Sequence, residues 1–243
     1  MKFSVIIPAY NEGTRAAGAA KALRRTAGGA DAEIILSVAG RGAAGAYRGL
    51  PPEVKVLSSP RGRAVQMNLG ARAASGEALV FLHADTALPP GAFAAMERAL
   101  RSGRCDCGAF RLKLDTKNPW LRLVAWTANL RNAFTATPYG DQAIFMRADL
   151  FRSLGGYREL PIMEDVDLVR RARKAGGRLV ILKEYALSSA RRWETEGLVG
   201  TTLTHHALRL LYLAGAAPEK MAGFRAARGA RAKLGVLLGQ KGV

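Results

Sequence analysis

Thiols are nearly absent from this chain of 243 residues, which contains two cysteines, Cys105 and Cys107. Both stand on one predicted strand, two residues apart, so their side chains are expected on the same side. Two ligands do not make a structural zinc site, which takes four. We therefore interpret both cysteines as reduced, structural residues of a cytoplasmic protein.

Long hydrophobic runs are absent as well. No stretch approaches the about 20 consecutive apolar residues that a membrane-spanning helix needs. The sequence begins MKFSVIIPAYNE, in which the apolar run is ended by Pro8 and Asn11. It lacks the longer apolar segment and the small-residue cleavage site of a secretory signal. These residues therefore predict a buried first strand.

Acidic residues are scarce: 19 Asp and Glu stand against 37 Lys and Arg, which gives a net charge of +18. A field of this sign attracts nucleotides, acidic lipid headgroups and nucleic acids alike. Arg is spread along the whole chain instead of being concentrated in an arm, which argues against a nucleic-acid-binding protein. Solvated Arg side chains that reflect genome composition explain the charge equally well, so it assigns no partner by itself.

What the chain does contain is an alternation of apolar runs and helical segments over its first hundred residues. Continuous apolar runs are typical of strands buried on both faces. Strand–helix alternation at this spacing predicts an α/β fold with a parallel, doubly wound sheet covered by helices. The predicted strands are Phe3 to Pro8, Glu33 to Val38, Val54 to Leu57 and Ala78 to Leu82, and the predicted helices are Gly13 to Arg25, Gly62 to Ala74 and Pro89 to Leu100.

The second half of the chain is predicted to be less regular. Its predicted strands are Cys107 to Leu114, Gln142 to Met146 and Arg178 to Leu182, and its predicted helices are Pro119 to Phe134, Asp149 to Leu154, Glu164 to Lys174 and the chain from Gly197 onward. The segment from Lys220 to Lys241 is basic, with small or apolar residues between its charges. It is suited to lie on an anionic membrane leaflet, to pack on the domain or to remain a solvated helix.

An acidic residue follows one of the predicted strands closely. In open parallel sheets, ligands bind at the carboxyl ends of the strands. Asp85 follows the strand that ends at Leu82, and His83 stands two residues earlier, where a strand would direct both side chains to one side. An Asp held there can bind a hard divalent cation that bridges the diphosphate of a nucleotide. It can equally cap the following helix, so its position alone leaves both roles open.

A second group of acids, Glu164, Asp165 and Asp167, crowds the first turn of a predicted helix. The helix macrodipole favours acids at that end, which accounts for one or two of them. Asp165 shares a helical face with Leu168 and Val169, so its side chain is expected to point inward. A carboxylate held there can act as general base toward a hydroxyl nucleophile.

Two cationic segments are suited to bind phosphate. Arg192 stands beside Trp193, and an Arg can pair with phosphate while an aromatic ring stacks on a base or sugar. Arg63 opens a helix after Gly62, and helix N-termini bind anions. A solvated basic turn explains each segment about as well.

Four segments follow one another in the order SVIIPAYNE, GRAVQMNLGARAASGEALVFLHADT, GDQAIFMRADLFRSLGGYRELPIMEDVDLVRRARKAG and SARRWE. Together they resemble the family 2 glycosyltransferases of the GT-A fold, over roughly residues 3 to 215. Their spacing is most similar to that of a subgroup of small bacterial family 2 transferases of unassigned substrate. The ordered series is far more specific than any one of its motifs.

The resemblance implies an inverting, metal-dependent transfer of a sugar from a nucleoside-diphosphate donor to a hydroxyl acceptor. By this resemblance Asp85 is the ligand of Mg²⁺ or Mn²⁺ and Asp165 is the catalytic base, with Glu164 orienting Asp165 or the acceptor. Asp141 and Gln142 are expected to line the acceptor pocket. The residues expected to contact the donor are Pro8, Ala9, Tyr10, Glu12, Arg63, Asn68, His83, Ala84, Asp85, Arg192 and Trp193.

The resemblance also implies an organisation and a location. Residues 1–215 are expected to form the GT-A domain, with a nucleotide-binding half over 1–100 and an acceptor half over 101–215. A helical basic tail over 216–243 is expected to follow. A lipid-linked acceptor and an anionic membrane surface are compatible partners, which would place a cytoplasmic protein on the inner face of the membrane. Nucleic acid is not an expected partner.

The sequence departs from the family pattern at two places. After its second strand the family usually carries an Asp that holds the nucleoside, whereas this chain reads LSVAGR over residues 36–41, without a carboxylate. His83 stands where the first Asp of the metal motif is often found. These departures keep open a non-catalytic relative that binds a nucleotide. A nucleotidyltransferase is a weaker alternative, because that class places a Gly-rich, Arg-containing loop directly after its first strand, where this chain has AYNE.

Overall fold

The computed structural model describes residues 1–12, 14–40, 47, 50–51 and 53–227. Its strands are β1 (Phe3–Tyr10), β2 (Ala32–Ala39), β3 (Val54–Ser58), β4 (Ala78–Phe81), β5 (Thr86–Ala87), β6 (Cys107–Asp115), β7 (Ile144–Arg147) and β8 (Leu179–Ser189). Its helices are α1 (Thr14–Ala27), α2 (Arg63–Arg72), α3 (Ala92–Arg101), α4 (Pro119–Thr135), α5 (Ala148–Ser153), α6 (Glu164–Lys174), α7 (Arg191–Glu196) and α8 (Leu198–Leu213), with a 3₁₀ turn at Gly140–Gln142 and a last helical segment at 218–227.

The eight strands form one sheet in the order β3-β2-β1-β4-β7-β6-β8-β5. The strands β1 to β4 are mutually parallel, and β6 and β8 are parallel to each other. β7 runs antiparallel to both of its neighbours, β4 and β6, and β5 runs antiparallel to β8. The predicted mostly parallel sheet flanked by helices is therefore confirmed, and its architecture is consistent with the GT-A fold.

Side chains from both faces of the sheet are buried, which explains the continuous apolar runs in the sequence. Along β1, Val5 and Ile7 point into one core cluster, which also contains residues of α1 and α3. Ile6, between them, points to the opposite face, where α2, α5 and α6 pack. Successive side chains of a strand alternate between the two faces of the sheet, so a strand covered on both faces has apolar residues at nearly every position.

Helix α2 is held unusually close to β1. A Cβ atom at Gly70 would lie 2.5 Å from Cγ2 of Ile6, so only glycine fits there without displacing the strand. At the same level Gln66 donates from Nε2 to the carbonyls of Ala9 and Ser37, each at 2.7 Å. The buried amide thereby ties the carboxyl ends of β1 and β2 together, at the edge of the sheet where ligands bind in such folds.

Two sequence-based assignments of strands near this edge were wrong. β4 ends at Phe81, so His83 and Asp85 stand on a turn and the expectation that a strand aligns them does not apply. β8 continues to Ser189 instead of ending near Leu182. Its second half was missed because its buried positions are taken by the small side chains of Ala186 and Ser188, which give no hydrophobic periodicity.

Of the predicted basic tail, the structure describes a helix as far as residue 227, and residues 228–243 lie outside the described part of the chain. Within the described residues, no helix combines the length and the apolar character needed to cross a bilayer.

Candidate active site

Two adjoining hollows open at the carboxyl edge of the parallel strands. The larger cleft has a volume of about 670 Å³ and is lined by Pro8, Tyr10, Glu12, Arg61, Gly62, Arg63, Ala64, Val65, Gln66, His83, Ala84, Asp85, Glu159, Leu160, Pro161, Arg191 and Arg192. The smaller cavity has a volume of about 200 Å³ and is lined by Arg63, His83, Asp85, Tyr139, Asp141, Ile162, Met163, Asp165, Ser188, Ser189, Arg191, Arg192, Trp193, His205, Leu208 and Arg225. The side chains shared by both hollows are Arg63, His83, Asp85, Arg191 and Arg192.

The structure brings most of the predicted site residues to these two hollows, but three of the predicted donor-binding and catalytic residues lie elsewhere. Ala9 is buried, and its carbonyl accepts the hydrogen bond from Gln66. Asn68 exchanges two hydrogen bonds with the backbone of Tyr157, at 2.8 and 2.9 Å. Both side-chain groups of Asn68 are thus used to hold the loop before α6. Neither Ala9 nor Asn68 lines the larger cleft, and both positions support the architecture around it.

The third residue outside the hollows, Glu164, lies behind them. Its carboxylate is 2% exposed and accepts a hydrogen bond from Nη1 of Arg63 at 2.9 Å. Burial raises the pKa of Glu164, whereas the positive charge of Arg63 lowers it. Burial lowers the pKa of Arg63, but the charges of Glu164 and Asp165 raise it, and the net result is a raised pKa. Glu164 therefore fixes Arg63, one of the three guanidinium groups that both hollows share.

Trp193 reaches the smaller cavity from the core. Its ring is buried, its indole Nε1 donates to Oγ1 of Thr202 at 3.2 Å, and the ring meets His205 edge to face at 5.2 Å. Trp193 therefore holds α7 and α8 together as well as forming part of the cavity wall.

Asp165 is held by two backbone N–H groups. Its Oδ2 accepts from the amide of Gly140 at 2.6 Å, and its Oδ1 accepts from the amide of Val166 at 2.7 Å. As expected from the helical pattern, Asp165 points inward with Leu168 and Val169. A carboxylate oxygen has two lone pairs, so each oxygen keeps one for a ligand in the smaller cavity.

Gly140 is the point where this carboxylate approaches His83. A Cβ atom at position 140 would lie 2.6 Å from Nε2 of His83 and 3.3 Å from Oδ2 of Asp165. The absence of a side chain thus allows the two functional groups to share one cavity. Burial, followed by the charges of Arg63 and Arg192, holds the pKa of His83 well below its usual value. The imidazole is consequently neutral at pH 7.

Asp141 carries a buried carboxyl oxygen, Oδ1, with no hydrogen-bond partner in the described part of the chain. It lines the smaller cavity as expected, whereas Gln142 is buried and bonds to the carbonyl of Phe110 at 2.9 Å. Burial, followed by the charge of Asp165, raises the pKa of Asp141 to about 6. Gln142 is therefore a structural residue, and Asp141 is a carboxyl group that faces the cavity.

This raised pKa predicts a pH-dependent stability. Between about pH 4 and pH 6 the folded protein binds more protons at Asp141 than the unfolded chain does, so this group makes stability fall as pH rises through that window. The Asp141→Asn variant should lack this component, and should be more stable than the parent at pH 8 by on the order of 2–3 kcal/mol. Urea unfolding at pH 4 to 8 measures it. A difference in the free energy of unfolding between parent and variant that does not change with pH would contradict the prediction. Asp149→Asn, a substitution on the surface, serves as the control.

Several lining residues were not found from the sequence. Gln66 could have been found from the sequence, because it is a polar residue on the otherwise small and apolar face of α2 that carries Ala64, Met67 and Gly70. No sequence pattern indicated His205 or Arg225. These two residues reach the cavity because α8 and the helix at 218–227 fold back over it.

The chemistry of the hollows fits a metal-bound diphosphate. Among the described residues no group of three or more His, Cys, Asp or Glu side chains could hold a metal by itself. Mg²⁺ in nucleotide sites is, however, usually held by one or two carboxylates together with the phosphates of the substrate. Asp85 is exposed and lines both hollows, so its carboxylate is available for that role.

With this geometry described, comparison with known proteins identifies the family. The sequence profile described as glycosyl transferase family 2 matches residues 4–154, more than half of the chain. The chain belongs to glycosyl transferase family 2. The expected resemblance is thereby confirmed, and the nucleotidyltransferase alternative is set aside. A comparison with curated protein sequences found no significant match.

Solved structures show the same fold as this family 2 glycosyltransferase. The mannosyltransferase PcManGT from Pyrobaculum calidifontis, in complex with GDP-Man and Mn²⁺, is 18% identical with a TM-score of 0.67, over 96% of this chain and 72% of that one. S. aureus TarS 1–349 is 17% identical with a TM-score of 0.59, over 87% and 66%. The same TarS chain in complex with UDP-GlcNAc is 19% identical with a TM-score of 0.59, over 78% and 58%. The chain thus spans less than two thirds of the TarS chains.

Proposed function

We propose that this glycosyltransferase moves a sugar, with inversion, from a nucleoside diphosphate in the larger cleft to an acceptor hydroxyl in the smaller cavity. The observation that carries the proposal is the position of Asp165. Its carboxylate is fixed by two backbone amides and faces a cavity that shares His83 and Asp85 with the larger cleft. A general base and a phosphate-binding edge therefore adjoin one shared space, as a displacement at a sugar carbon requires.

The larger cleft has the groups that a nucleotide requires. Tyr10 is exposed at its wall, and the guanidinium of Arg61 lies 4.6 Å from the centre of its ring. This flat cationic surface suits a base, and Arg63 beside it suits a phosphate. Glu12 lines the same cleft. We assign to Glu12 the contact with the ribose hydroxyls that an acid after the second strand makes in the family, since residues 36–41 of this chain contain no carboxylate.

Asp85 would hold a Mg²⁺ or Mn²⁺ ion together with the donor diphosphate. The ion supplies charge neutralisation for the departing nucleoside diphosphate. PcManGT, whose solved complex contains GDP-Man and Mn²⁺, is a structural neighbour that binds this pair of ligands.

In the proposed reaction the acceptor oxygen forms a bond to the anomeric carbon while the bond from that carbon to the nucleoside diphosphate breaks. The hydroxyl proton passes to a carboxylate oxygen of Asp165. Arg63 and Arg192, which line both hollows, stabilise the negative charge on the leaving diphosphate. A single displacement of this kind inverts the configuration at the sugar carbon.

A nucleotide screen tests the proposal. Thermal unfolding with UDP, GDP, ADP and TDP and their sugars, each with and without Mn²⁺, should show one nucleoside diphosphate that raises the Tm in a metal-dependent way. Release of that diphosphate from its sugar, measured with and without candidate acceptors, then tests turnover. Failure of every nucleoside diphosphate to bind would overturn the proposal, and binding without any turnover would favour a non-catalytic nucleotide-binding relative.

We also propose that this protein binds the surface of an anionic membrane through an apolar stripe on α4. Trp120, Leu123, Trp126, Leu130 and Phe134 recur every three or four residues on one side of the helix, and Trp126 and Phe134 are 59% and 83% exposed. Soluble proteins rarely expose so much contiguous apolar surface without a partner.

The neighbouring helix extends this surface. Val199, Leu203, Leu210 and Leu213 are exposed along α8, and α4 and α8 pack against each other. No Asp or Glu occurs in residues 116–140 or 197–218. An apolar face without acids, on a protein of charge +18, suits the interface of an anionic leaflet better than it suits open water.

Vesicle pelleting checks this surface. The full chain should pellet with vesicles containing phosphatidylglycerol at low salt and less at high salt, because salt screens the attraction. The double variant Trp126→Ser, Phe134→Ser should bind at least roughly 100-fold more weakly, since each buried aromatic contributes about 1.5–3 kcal/mol. The variant Val56→Ser, which changes an exposed apolar residue of β3, should bind like the parent. Unchanged pelleting of the double variant, or a mass in solution that shows the stripe buried in a dimer, would contradict this surface.

A further inference from the structure

The smaller cavity contains a cation that forms no salt bridge with any carboxylate in the described part of the chain. Arg225, on the helix at 218–227, lines this cavity but not the larger cleft. Burial, followed by the charge of Arg192, lowers its pKa to about 10. Among the described residues it takes part in no ion pair. All 19 Asp and Glu of the sequence lie in the described ranges, so no side-chain carboxylate outside them can serve.

Arg192 adds a second cation on the same side. It lines both hollows and likewise forms no ion pair with a described residue. Burial lowers the pKa of His205 most, and the charges of Arg192 and Arg225 lower it further, to about 3. A neutral His205 keeps one ring N–H to donate to an anion. Arg225 is half-buried and Arg192 is exposed. The missing partner therefore matters most at Arg225, where an anionic ligand in the cavity would replace the water that the guanidinium has lost.

The donor is not the best source of this anion. The larger cleft has its own cations, Arg61 and Arg63, beside Asp85. The lining of the smaller cavity contains Arg192 and Arg225 together with the carboxyl groups of Asp141 and Asp165. A phosphate dianion is attracted by the two arginines and repelled by the two carboxyl groups, which leaves Asp165 to an acceptor hydroxyl.

We infer that the acceptor carries a phosphate group, which Arg225 holds while the acceptor hydroxyl reaches Asp165. Arg192, which lines both hollows, is shared between this phosphate and the leaving diphosphate. The inference rests on the proposed function and names the chemical class of its acceptor. The guanidinium of Arg225 offers several N–H donors in one plane, which suits the oxygens of a phosphate group. The phosphate is an anchor here, and the hydroxyl remains the nucleophile.

The acceptor phosphate can belong to either of two classes of molecule, a water-soluble sugar phosphate or a lipid phosphate. The cavity wall also contains Ile162, Met163 and Leu208, which would accept the first carbons of an alkyl chain. Two probes, glucose 6-phosphate and decyl phosphate, therefore share the phosphate and differ in the group attached to it. The third probe, decyl glucoside, contains both the sugar and the decyl chain but no phosphate.

The test uses the full chain with its donor cleft occupied by the nucleoside diphosphate and metal that bind best in the screen. Calorimetric titration of this complex should show that decyl phosphate or glucose 6-phosphate binds and that decyl glucoside does not. Arg225→Gln should weaken binding of the phosphate probe roughly 10- to 100-fold, as expected for a charge-assisted contact. Arg225→Lys should recover part of the loss, and both variants should bind the nucleoside diphosphate within about twofold of the parent.

Arg98→Gln removes the same charge from an exposed position on α3 and should leave all affinities unchanged. Unchanged phosphate-probe affinity in Arg225→Gln overturns the inference, as does equal weakening of the probe and the nucleoside diphosphate, which would assign Arg225 to the donor. Stronger binding of decyl phosphate identifies a lipid phosphate, and stronger binding of glucose 6-phosphate identifies a soluble one. The phosphate probes are also titrated into the protein without nucleotide. Failure of every nucleoside diphosphate to bind the parent protein then refutes the proposed function, whereas the Arg225→Gln comparison still tests the phosphate site.

Discussion

Replacing Asp165 by Asn should lower kcat roughly 10³-fold, the middle of the range that a positioned general base contributes. The amide keeps the size of the carboxylate but cannot take the acceptor proton. Its nitrogen also cannot accept a hydrogen bond, so either the amide of Gly140 or that of Val166 loses its present partner. The expected result is loss of transfer with the donor still bound.

Steady-state release of the nucleoside diphosphate measures kcat, and calorimetry measures donor affinity. Asp149→Asn is the matched control, because Asp149 is exposed and pairs with Arg147 away from both hollows. Donor affinity that falls in Asp165→Asn as much as kcat does would refute the role of Asp165 as base. A retained kcat would do the same and would turn attention to Asp141, the other inward-facing carboxyl of the cavity.

Replacing Asp85 by Asn should remove the metal-dependent part of donor binding. The parent protein is expected to bind its nucleoside diphosphate at least about 100-fold more tightly with Mn²⁺ than without, because Asp85 would hold the ion that neutralises the diphosphate. In Asp85→Asn the affinity with Mn²⁺ should fall to the value without it, and kcat/KM should fall by at least the same factor.

Titration of the nucleoside diphosphate with and without Mn²⁺, in parent and variant, is the measurement. Asp149→Asn again controls for the loss of one negative charge. A variant that keeps the full Mn²⁺ effect would show that Asp85 is not the ligand. In that case His83, Asp141 and Asp165, which line the same cavity, would be the side chains to examine next.

The two acids differ in how firmly the fold holds them. Asp165 lies on a regular helix, has two backbone donors and is 9% exposed. Asp85 stands on a turn after β4 and is exposed. A general base benefits from a fixed position, whereas a metal ligand in a site completed by the substrate is free to adjust until the donor arrives. The structure therefore suits each acid to its proposed role.

The donor contacts were harder to predict than the sheet that carries them. Pro8, Ala9, Tyr10 and Glu12 were expected to contact the donor, yet Ala9 is turned into the core because side chains of a strand alternate. Asn68 was expected from its motif and instead bonds to Tyr157. A motif fixes the spacing of residues along the chain, but the local hydrogen bonds decide which of its polar groups remain available.

The sequence alone determined the alternating sheet and helices, the membership of a family 2 glycosyltransferase and the inward direction of Asp165. Each of these depends on periodicity or on the order of motifs, which are properties of neighbouring residues. The tertiary structure alone decided that Gly140 lets Asp165 approach His83, that Glu164 holds Arg63, and that Arg225 returns to the cavity from the end of the chain. These features depend on contacts between residues far apart in sequence, where the close packing of the interior selects the partners.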